Sequence, residues 1–209
     1  MSSRKFRVLD SHVNIGRGEL RDDPIKSGIT PEHILQLMAE SGVDRSIIFP
    51  ASRPSGFSDA NQEVADYVKQ YPDSFMGFGR IRSKPVEPSD SLRSRAKKLV
   101  FRVPGIRRST WNALRNRFEI LRTKNTKQFD QECQDELERC FDVHRLHGIK
   151  VHPDEDGYPS AAVLEVMENH RKPFLLHCGH GISLRRIEKD IIKPFTMPII
   201  LAHMGGYPA

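Results

Sequence analysis

Residues 149–179 read IKVHPDEDGYPSAAVLEVMENHRKPFLLHCG, and this stretch decides the fold. Two short apolar runs, IKV and PFLL, flank a segment whose apolar residues recur with helical spacing, and Ser160 stands where a helix N-cap would. A strand, a helix and a second strand within about 30 residues predict a βαβ unit. In such a unit the two strands lie parallel and the helix covers one face of the sheet.

The same alternation continues on both sides of this unit. Strand-like runs FRVLDSHV, VDRSIIFPA and SFMGFGRI precede it, and PIILAHMGG follows it. Among the helical patterns between them, TPEHILQLMAESG has Thr30 as a cap, Pro31 at the first helical position and Gly42 as the stop. Six strands of this kind predict an α/β protein with either a doubly wound sheet or a (β/α)8 barrel. The turn NIGRG lacks the glycine spacing of nucleotide-binding loops, so phosphate binding is poorly supported.

Histidines mark the ends of these predicted strands. Four of the nine, His12, His152, His177 and His203, lie near the carboxyl ends of four different strands. Barrel enzymes assemble their sites at this end, and neutral imidazole is a common zinc ligand. We therefore expect these side chains to converge. Asn14 shares a strand face with His12, at the position where a second histidine would complete a pair of ligands.

The net charge of +6 comes from one segment. Between Ser91 and Phe129 there are twelve Lys or Arg residues and a single acid, Glu119. We interpret residues 82–127 as a basic insertion between strands three and four of a single domain spanning residues 1–209. Two interpretations of the insertion stay open: a solvated segment whose aromatic residues pack on the rest of the domain, or, in a barrel, a lid near the mouth that attracts a substrate carrying a carboxylate. Nucleic-acid binding is not expected, because the segment contains no recognisable binding module.

The remaining composition indicates a cytoplasmic protein. The three cysteines form no CxxC pair, the N-terminus has no apolar signal core, and no apolar run is long enough to span a membrane.

Six blocks of the sequence, taken in order, resemble the amidohydrolase superfamily. They are VLDSHVNIG, SGVDRSIIFPAS, YPDSFMGFGRI, GIKVHPDEDGYP, FLLHCGHG and IILAHMGG. The most similar branch is the amidohydrolase-related group that includes aminocarboxymuconate-semialdehyde decarboxylase. The resemblance implies a (β/α)8 barrel with a divalent metal, usually zinc, at the carboxyl ends of its strands. It also implies a hydrolase or decarboxylase acting on a small organic acid or amide.

The resemblance assigns roles to residues of this chain. His12 and His177 match metal ligands, and His203 matches the histidine that polarises substrate and shuttles a proton. Asn14 stands where the pattern has a second metal-binding histidine. Lys150 and His152 lie on one face of strand four, and we expect them to bind substrate or to supply a substitute ligand.

The sequence contains only six strand–helix units, so the expected barrel is incomplete. The final strands, including the one that carries a metal-binding aspartate in the family, have no counterpart in this sequence. Three explanations stay open: a fragment of a longer protein, a natural short paralogue that completes its sheet as a homodimer, or a degenerate product. We expect an impaired metal-dependent hydrolase or decarboxylase. The alternative is a non-catalytic relative that acts by binding.

Overall fold

The structure is a computed structural model, and it describes residues 7–18, 28–53, 56–83, 127–178 and 184–205. Six strands form one parallel sheet in the order in which they occur along the chain. The strands are β1 Leu9–Ile15, β2 Arg45–Pro50, β3 Phe75–Arg80, β4 Gly148–Val151, β5 Phe174–Leu176 and β6 Ile199–Leu201.

Helices connect successive strands, as the alternation in the sequence predicts. They are α1 Pro31–Ser41, α2 Ser58–Gln70, α3 at 127–138, α4 Pro153–Asp156, α5 Ala161–His170 and α6 Leu184–Ile187. Helix α3 continues into a π-helical turn at Arg139–Val143, and α6 continues into another at Glu188–Ile192. The short helix α4 directly after β4 has no counterpart in the sequence-based prediction.

Local chemistry fixes the ends of α1 as expected. The Thr30 hydroxyl accepts the backbone N–H of His33 at 3.3 Å, and Pro31 occupies the first helical position. Gly42 ends the helix with φ 67°, the left-handed conformation that glycine adopts without steric cost. In α5, Ser160 caps the helix by accepting the N–H of Val163 at 3.4 Å.

The apolar core lies along the central strands. Every residue of β4 and β5 is buried, whereas all three residues of β6 are only half-buried. One cluster of the core joins β2, β3, β5 and the turn after β6; its buried members are Ile47, Phe49, Phe78, Leu175 and Ala202. Burial of both faces explains why the central strands are rich in apolar residues and show no alternation of polar and apolar positions.

The sheet curls strongly, because side chains from its first and last strands touch. In a flat sheet, five strand spacings would hold β1 and β6 about 24 Å apart. Instead, the imidazole of His12 in β1 lies 5.1 Å from that of His203 after β6, measured between ring centroids. Sequential parallel strands that curl in this way have the arrangement of six units of a (β/α)8 barrel.

The chain divides into two compact units. The first contains Met1–Lys84 and Cys133–Ala209 and carries all six described strands, and the second is Pro85–Glu132. Most of the basic insertion predicted at 82–127 lies outside the described residues, so its role as a lid stays a prediction. Within the described ranges no helix is both long and apolar enough to cross a membrane.

Candidate active site

The site begins with four histidines carried by four strands. His12 lies within β1, and His152 and His177 directly follow β4 and β5. His203 lies in the 3-10 turn Ala202–Gly205 after β6, with φ 52°. The parallel sheet brings the carboxyl ends of these strands to one edge, and its curl turns them toward each other.

The imidazoles of His12, His177 and His203 form a three-membered cluster. The ring centroids of His12 and His177 lie 5.8 Å apart, those of His12 and His203 5.1 Å, and those of His177 and His203 4.6 Å. One ring nitrogen from each residue lies within 4.8 Å of the others. His12 and His177 are half-buried and His203 is exposed, so the cluster opens to solvent on the His203 side.

His152 joins the cluster by stacking on His177. The two ring centroids are 3.7 Å apart, with an angle of 26° between the ring planes. The Nδ1 atoms of both imidazoles are buried and have no hydrogen-bond partner in the described part of the chain. Buried polar atoms without a partner are costly, and a bound ligand or ion is one of the ways to satisfy them.

Lys150 of β4 lies beneath the cluster and is almost completely buried. Its Nζ lies 2.8 Å from Nε2 of His12 and 5.2 Å from the centroid of the Phe49 ring. Three arrangements of protons fit this hydrogen bond. The ammonium or the neutral amine donates to an unprotonated Nε2, or an Nε2–H donates to the neutral amine, which leaves Nδ1 of His12 as an electron-pair donor.

Burial keeps the central imidazoles uncharged at neutral pH. Burial, with the charges of Lys150 and His203 as smaller causes, lowers the pKa of His12 to about 4. Burial, followed by the neighbouring His152 and Lys150, lowers the pKa of His177 to about 3. Uncharged imidazole is the form that binds metal ions, so these rings hold their lone pairs ready at pH 7.

Lys150 can change its charge near neutral pH. Burial, with the positive charge of Arg80 as the second cause, lowers its pKa to about 7. An ordinary lysine titrates near pH 10.4, so at pH 7 this side chain exchanges a proton that a surface lysine would retain.

A buried ionic network supports the site from below, and the sequence-based reasoning missed it. The Arg80 guanidinium at the end of β3 binds both carboxylate oxygens of Asp156, through Nε at 2.8 Å and Nη2 at 3.2 Å. Arg80 also bonds Glu155 at 2.5 Å. Asp156 accepts the backbone N–H of His152 at 2.9 Å, so the network fixes the turn that carries this histidine.

The sequence contains only a weak signal for this network. Arg80 ends an apolar strand, where a charged residue needs a partner, and the acids follow β4 in the run DED. Their pairing spans 76 residues and depends on β3 and β4 being neighbours, which the sequence alone does not establish.

Asn14 does not take part in these contacts. It pairs with Phe49 across β1 and β2. The register between the two strands shifts between Asp10 and Val13, an irregularity within the segment that carries His12. The assignment of Asn14 as a metal ligand stays a prediction from the family resemblance.

The residues present fit a divalent metal. His12, His177 and His203 could each offer one nitrogen to the same ion, and three protein ligands plus an open position are typical of catalytic zinc. The buried, unpartnered Nδ1 of His177 is an observation in favour of such a ligand. The chemistry of the donors suits Zn²⁺ and other first-row ions alike.

Among the solved structures that are similar in fold to this chain are two enzymes. A probable 2-pyrone-4,6-dicarboxylic acid hydrolase from Acinetobacter baumannii, solved with citric acid bound, matches 96% of this chain with a TM-score of 0.53 and 11% identity. 5-Carboxyvanillate decarboxylase LigW from Sphingomonas paucimobilis matches 95% of the chain with a TM-score of 0.53 and 14% identity. The chain shares their fold. The barrel-type architecture expected from the sequence is thereby confirmed.

The chain spans 59% of the hydrolase and 68% of the decarboxylase. No model of a protein family matches the sequence, and no curated protein matches it.

Proposed function

We propose that this chain acts as a metal-dependent hydrolase or decarboxylase on a small organic acid or amide. The observation that carries the proposal is the cluster of His12, His177 and His203, in which one nitrogen of each ring lies within 4.8 Å of the others at the carboxyl edge of a curled parallel sheet. Enzymes with this architecture place their catalytic groups at that edge.

The names of the two structural neighbours support the class of substrate. One is a probable hydrolase of a pyrone dicarboxylic acid and the other decarboxylates 5-carboxyvanillate. Both names describe small cyclic acids, so we propose a ring-derived carboxylic acid as the first substrate class to test. These are also the two reaction types that the amidohydrolase-related resemblance implies.

A divalent metal, with zinc as our expectation, would polarise a substrate carbonyl or lower the pKa of a bound water. The chain's own residues supply the rest of the site. His12 and His177 stay uncharged at neutral pH, and Lys150 holds the His12 ring through the 2.8 Å hydrogen bond to Nε2. His203 is exposed, so a substrate that enters from solvent meets this imidazole first.

Two roles for His203 exclude each other within this proposal. As the proton-shuttling group that the resemblance implies, it needs a free ring nitrogen. As a metal ligand it gives up that nitrogen, and Lys150, with a pKa of about 7, is then the group in the cluster that holds or releases a proton near neutral pH.

The test is turnover by the purified 209-residue chain. The chain is incubated with 2-pyrone-4,6-dicarboxylate, 5-carboxyvanillate and a set of related cyclic acids and amides, with added Zn²⁺, with Mn²⁺ and with chelator. Ring absorbance follows hydrolysis and released CO₂ follows decarboxylation. We expect metal-dependent loss of substrate that His177→Gln abolishes, while His33→Gln on the exposed face of α1 leaves the rate unchanged.

A second candidate, a non-catalytic relative that acts by binding, is favoured by the asparagine at position 14. In that case calorimetry would detect binding of the same acids, and the chain would not turn them over with any of the added metals. Such a result would contradict the enzymatic proposal. Assembly into a homodimer and a cytoplasmic location stay predictions from the sequence.

A further inference from the structure

We propose that His203 takes the ligand position that the resemblance gives to Asn14, so that a metal is held by His12, His177 and His203. The inference rests on the proposed function in requiring a divalent metal at this cluster. It differs from the role that the resemblance assigns to His203, and it identifies the donors from the geometry of this chain alone.

The orientations of the three rings suit a common ion. An imidazole donates through a lone pair in its ring plane, so a shared ion must lie near the plane of every ring, and planes that are inclined to one another intersect close to the rings. The ring planes of His12 and His203 make an angle of 58°, those of His177 and His203 77°, and those of His12 and His177 46°. In-plane lone pairs of rings inclined in this way can meet at one point.

The separations are also close to those of a bound state. Two nitrogens that each lie about 2.1 Å from one tetrahedral zinc ion are about 3.4 Å apart. The three nitrogens lie within 4.8 Å of one another. Closing the cluster on an ion therefore shortens each separation by at most roughly 1.4 Å, and of the three side chains His203 is the exposed one.

His152 is excluded from the ligand set by its stacking. Its ring lies 3.7 Å from the ring of His177, with only 26° between the planes. Lone pairs in two nearly parallel planes point side by side and do not converge on an ion 2.1 Å from each nitrogen. We assign His152 a supporting role, in which it packs against the face of a ligand ring.

Asn14 is a poor donor by chemistry. Zinc in proteins is bound by Cys, His, Asp or Glu, and a neutral amide oxygen is not among its usual ligands. The exposed imidazole of His203, by contrast, already lies against both other rings. The chain therefore has a three-nitrogen set even with asparagine at position 14.

The test is metal affinity measured ligand by ligand on the full chain. Zn²⁺ binding is measured by competition with a chromogenic chelator and by elemental analysis after dialysis, and Co²⁺ is added as a spectroscopic probe of nitrogen coordination. We expect one metal per chain, a loss of affinity of about tenfold or more in His203→Gln and in His177→Gln, and less than about threefold change in Asn14→Ala. The visible Co²⁺ bands should change in His203→Gln and persist in Asn14→Ala.

Two further variants control for other sites. His152→Gln should retain the metal within about threefold, since a stacked neighbour supports a ligand without binding the ion. His170→Gln removes a member of the surface group Glu138, Asp142 and His170, whose ligand atoms also lie within 4.8 Å of one another. It should leave both affinity and spectrum unchanged.

Several results would overturn the inference: no stoichiometric metal in the folded wild-type chain, loss of metal in Asn14→Ala with retention in His203→Gln, or loss in His170→Gln. Thermal unfolding of each variant checks that the fold is intact. The outcome is separate from that of the proposed function. Metal-dependent turnover together with full metal affinity in His203→Gln would defeat the ligand assignment alone, and the predicted pattern of affinities without any turnover would defeat the enzymatic proposal alone.

Discussion

Lys150 shows how one buried side chain sets the chemistry of its neighbours. Burial in β4 and the positive charge of Arg80 make its own ammonium costly, and its charge in turn disfavours a proton on His12. The effect is local, because it acts across the 2.8 Å that separate Nζ of Lys150 from Nε2 of His12. In a low-dielectric environment, a positive charge at that distance strongly lowers the pKa of an imidazole.

Replacing Lys150 with methionine should therefore raise the pKa of His12. The pKa is held near 4 first by burial and second by Lys150. Lys150→Met removes the second cause and leaves the first, so we expect a value above 4 that stays below the ordinary 6.5. The measurement is an NMR titration of the imidazole protons in chelator-treated protein. Lys193→Met, at an exposed ion pair with Glu188, is the matched control and should leave His12 unchanged. An unaltered His12 titration in Lys150→Met would contradict the assignment.

At the scale of elements, the Arg80 network joins β2, β3, α2 and α4. The guanidinium reaches the Pro50 carbonyl at 3.3 Å, and the Asn61 amide bonds both the backbone N–H and the backbone carbonyl of Arg80. Asp156 closes the network at the turn after β4. Arg80 and Asp156 are each only 3% exposed at the side chain, so neither can exchange its partner for water.

Removing the arginine should thus be far more costly than removing a surface arginine. Arg80→Met leaves the Asp156 carboxylate buried without its cation, and breaking a buried pair from one side typically costs about 3–5 kcal/mol of the free energy of unfolding. Arg186→Met is the control, because the Arg186–Asp190 pair is 60% and 37% exposed and should be worth less than about 1 kcal/mol. Urea unfolding measures both. Equal losses in the two variants would show that the network does not stabilise the fold.

Gly148, at the start of β4, is a second point at which neighbouring elements meet closely. A Cβ at this position would lie 2.5 Å from the backbone oxygen of Pro173 and 2.7 Å from ring atoms of Phe78. Gly148→Ala should lower the free energy of unfolding by about 3 kcal/mol, because a backbone oxygen cannot move aside without shifting β5. In Gly77→Ala the nearest atoms are side-chain methyls of Val68 and Leu146 at 2.8 and 2.9 Å, which can rotate. We expect Gly77→Ala to lower the free energy of unfolding by about 1 kcal/mol. A larger loss in Gly77→Ala than in Gly148→Ala would show that the backbone oxygen is not the costlier neighbour.

At the scale of the whole molecule, the sequence predicts elements and strand ends better than it predicts contacts. Thr30, Pro31 and Gly42 mark the ends of α1 through local chemistry, and the alternation of apolar strands with helices predicts the parallel sheet. Parallel strands bring the four histidines to one edge of the sheet, and the curl then brings His12 against His203. The stacking of His152 on His177 and the burial of Arg80 could not be predicted in this way, because both depend on the curl of the sheet and on partners far apart in the chain.

The same burial that prepares the site should make the stability of the whole protein depend on pH. His12 and His177 have folded pKa values of about 4 and about 3, below the 6.5 of an unfolded histidine. Between pH 6.5 and these values the unfolded chain binds more protons than the folded one, so the free energy of unfolding falls as the pH falls. Lys150 contributes with the same sign at higher pH, because its folded pKa of about 7 also lies below its ordinary value.

We therefore expect wild-type protein in chelator to lose about 1–2 kcal/mol of unfolding free energy between pH 7.5 and pH 5.5, a value that allows for partial solvent screening of the two half-buried rings. Urea unfolding at the two pH values measures the loss. The double variant His12→Gln with His177→Gln is the control: its carboxylates titrate as in the wild type, but it lacks the two imidazoles. Over the same pH interval, the double variant should lose only a small part of the unfolding free energy that the wild type loses. If wild type and double variant lose the same free energy, the proton uptake that destabilises the fold occurs elsewhere, and the uncharged state of the cluster at neutral pH is not imposed by folding.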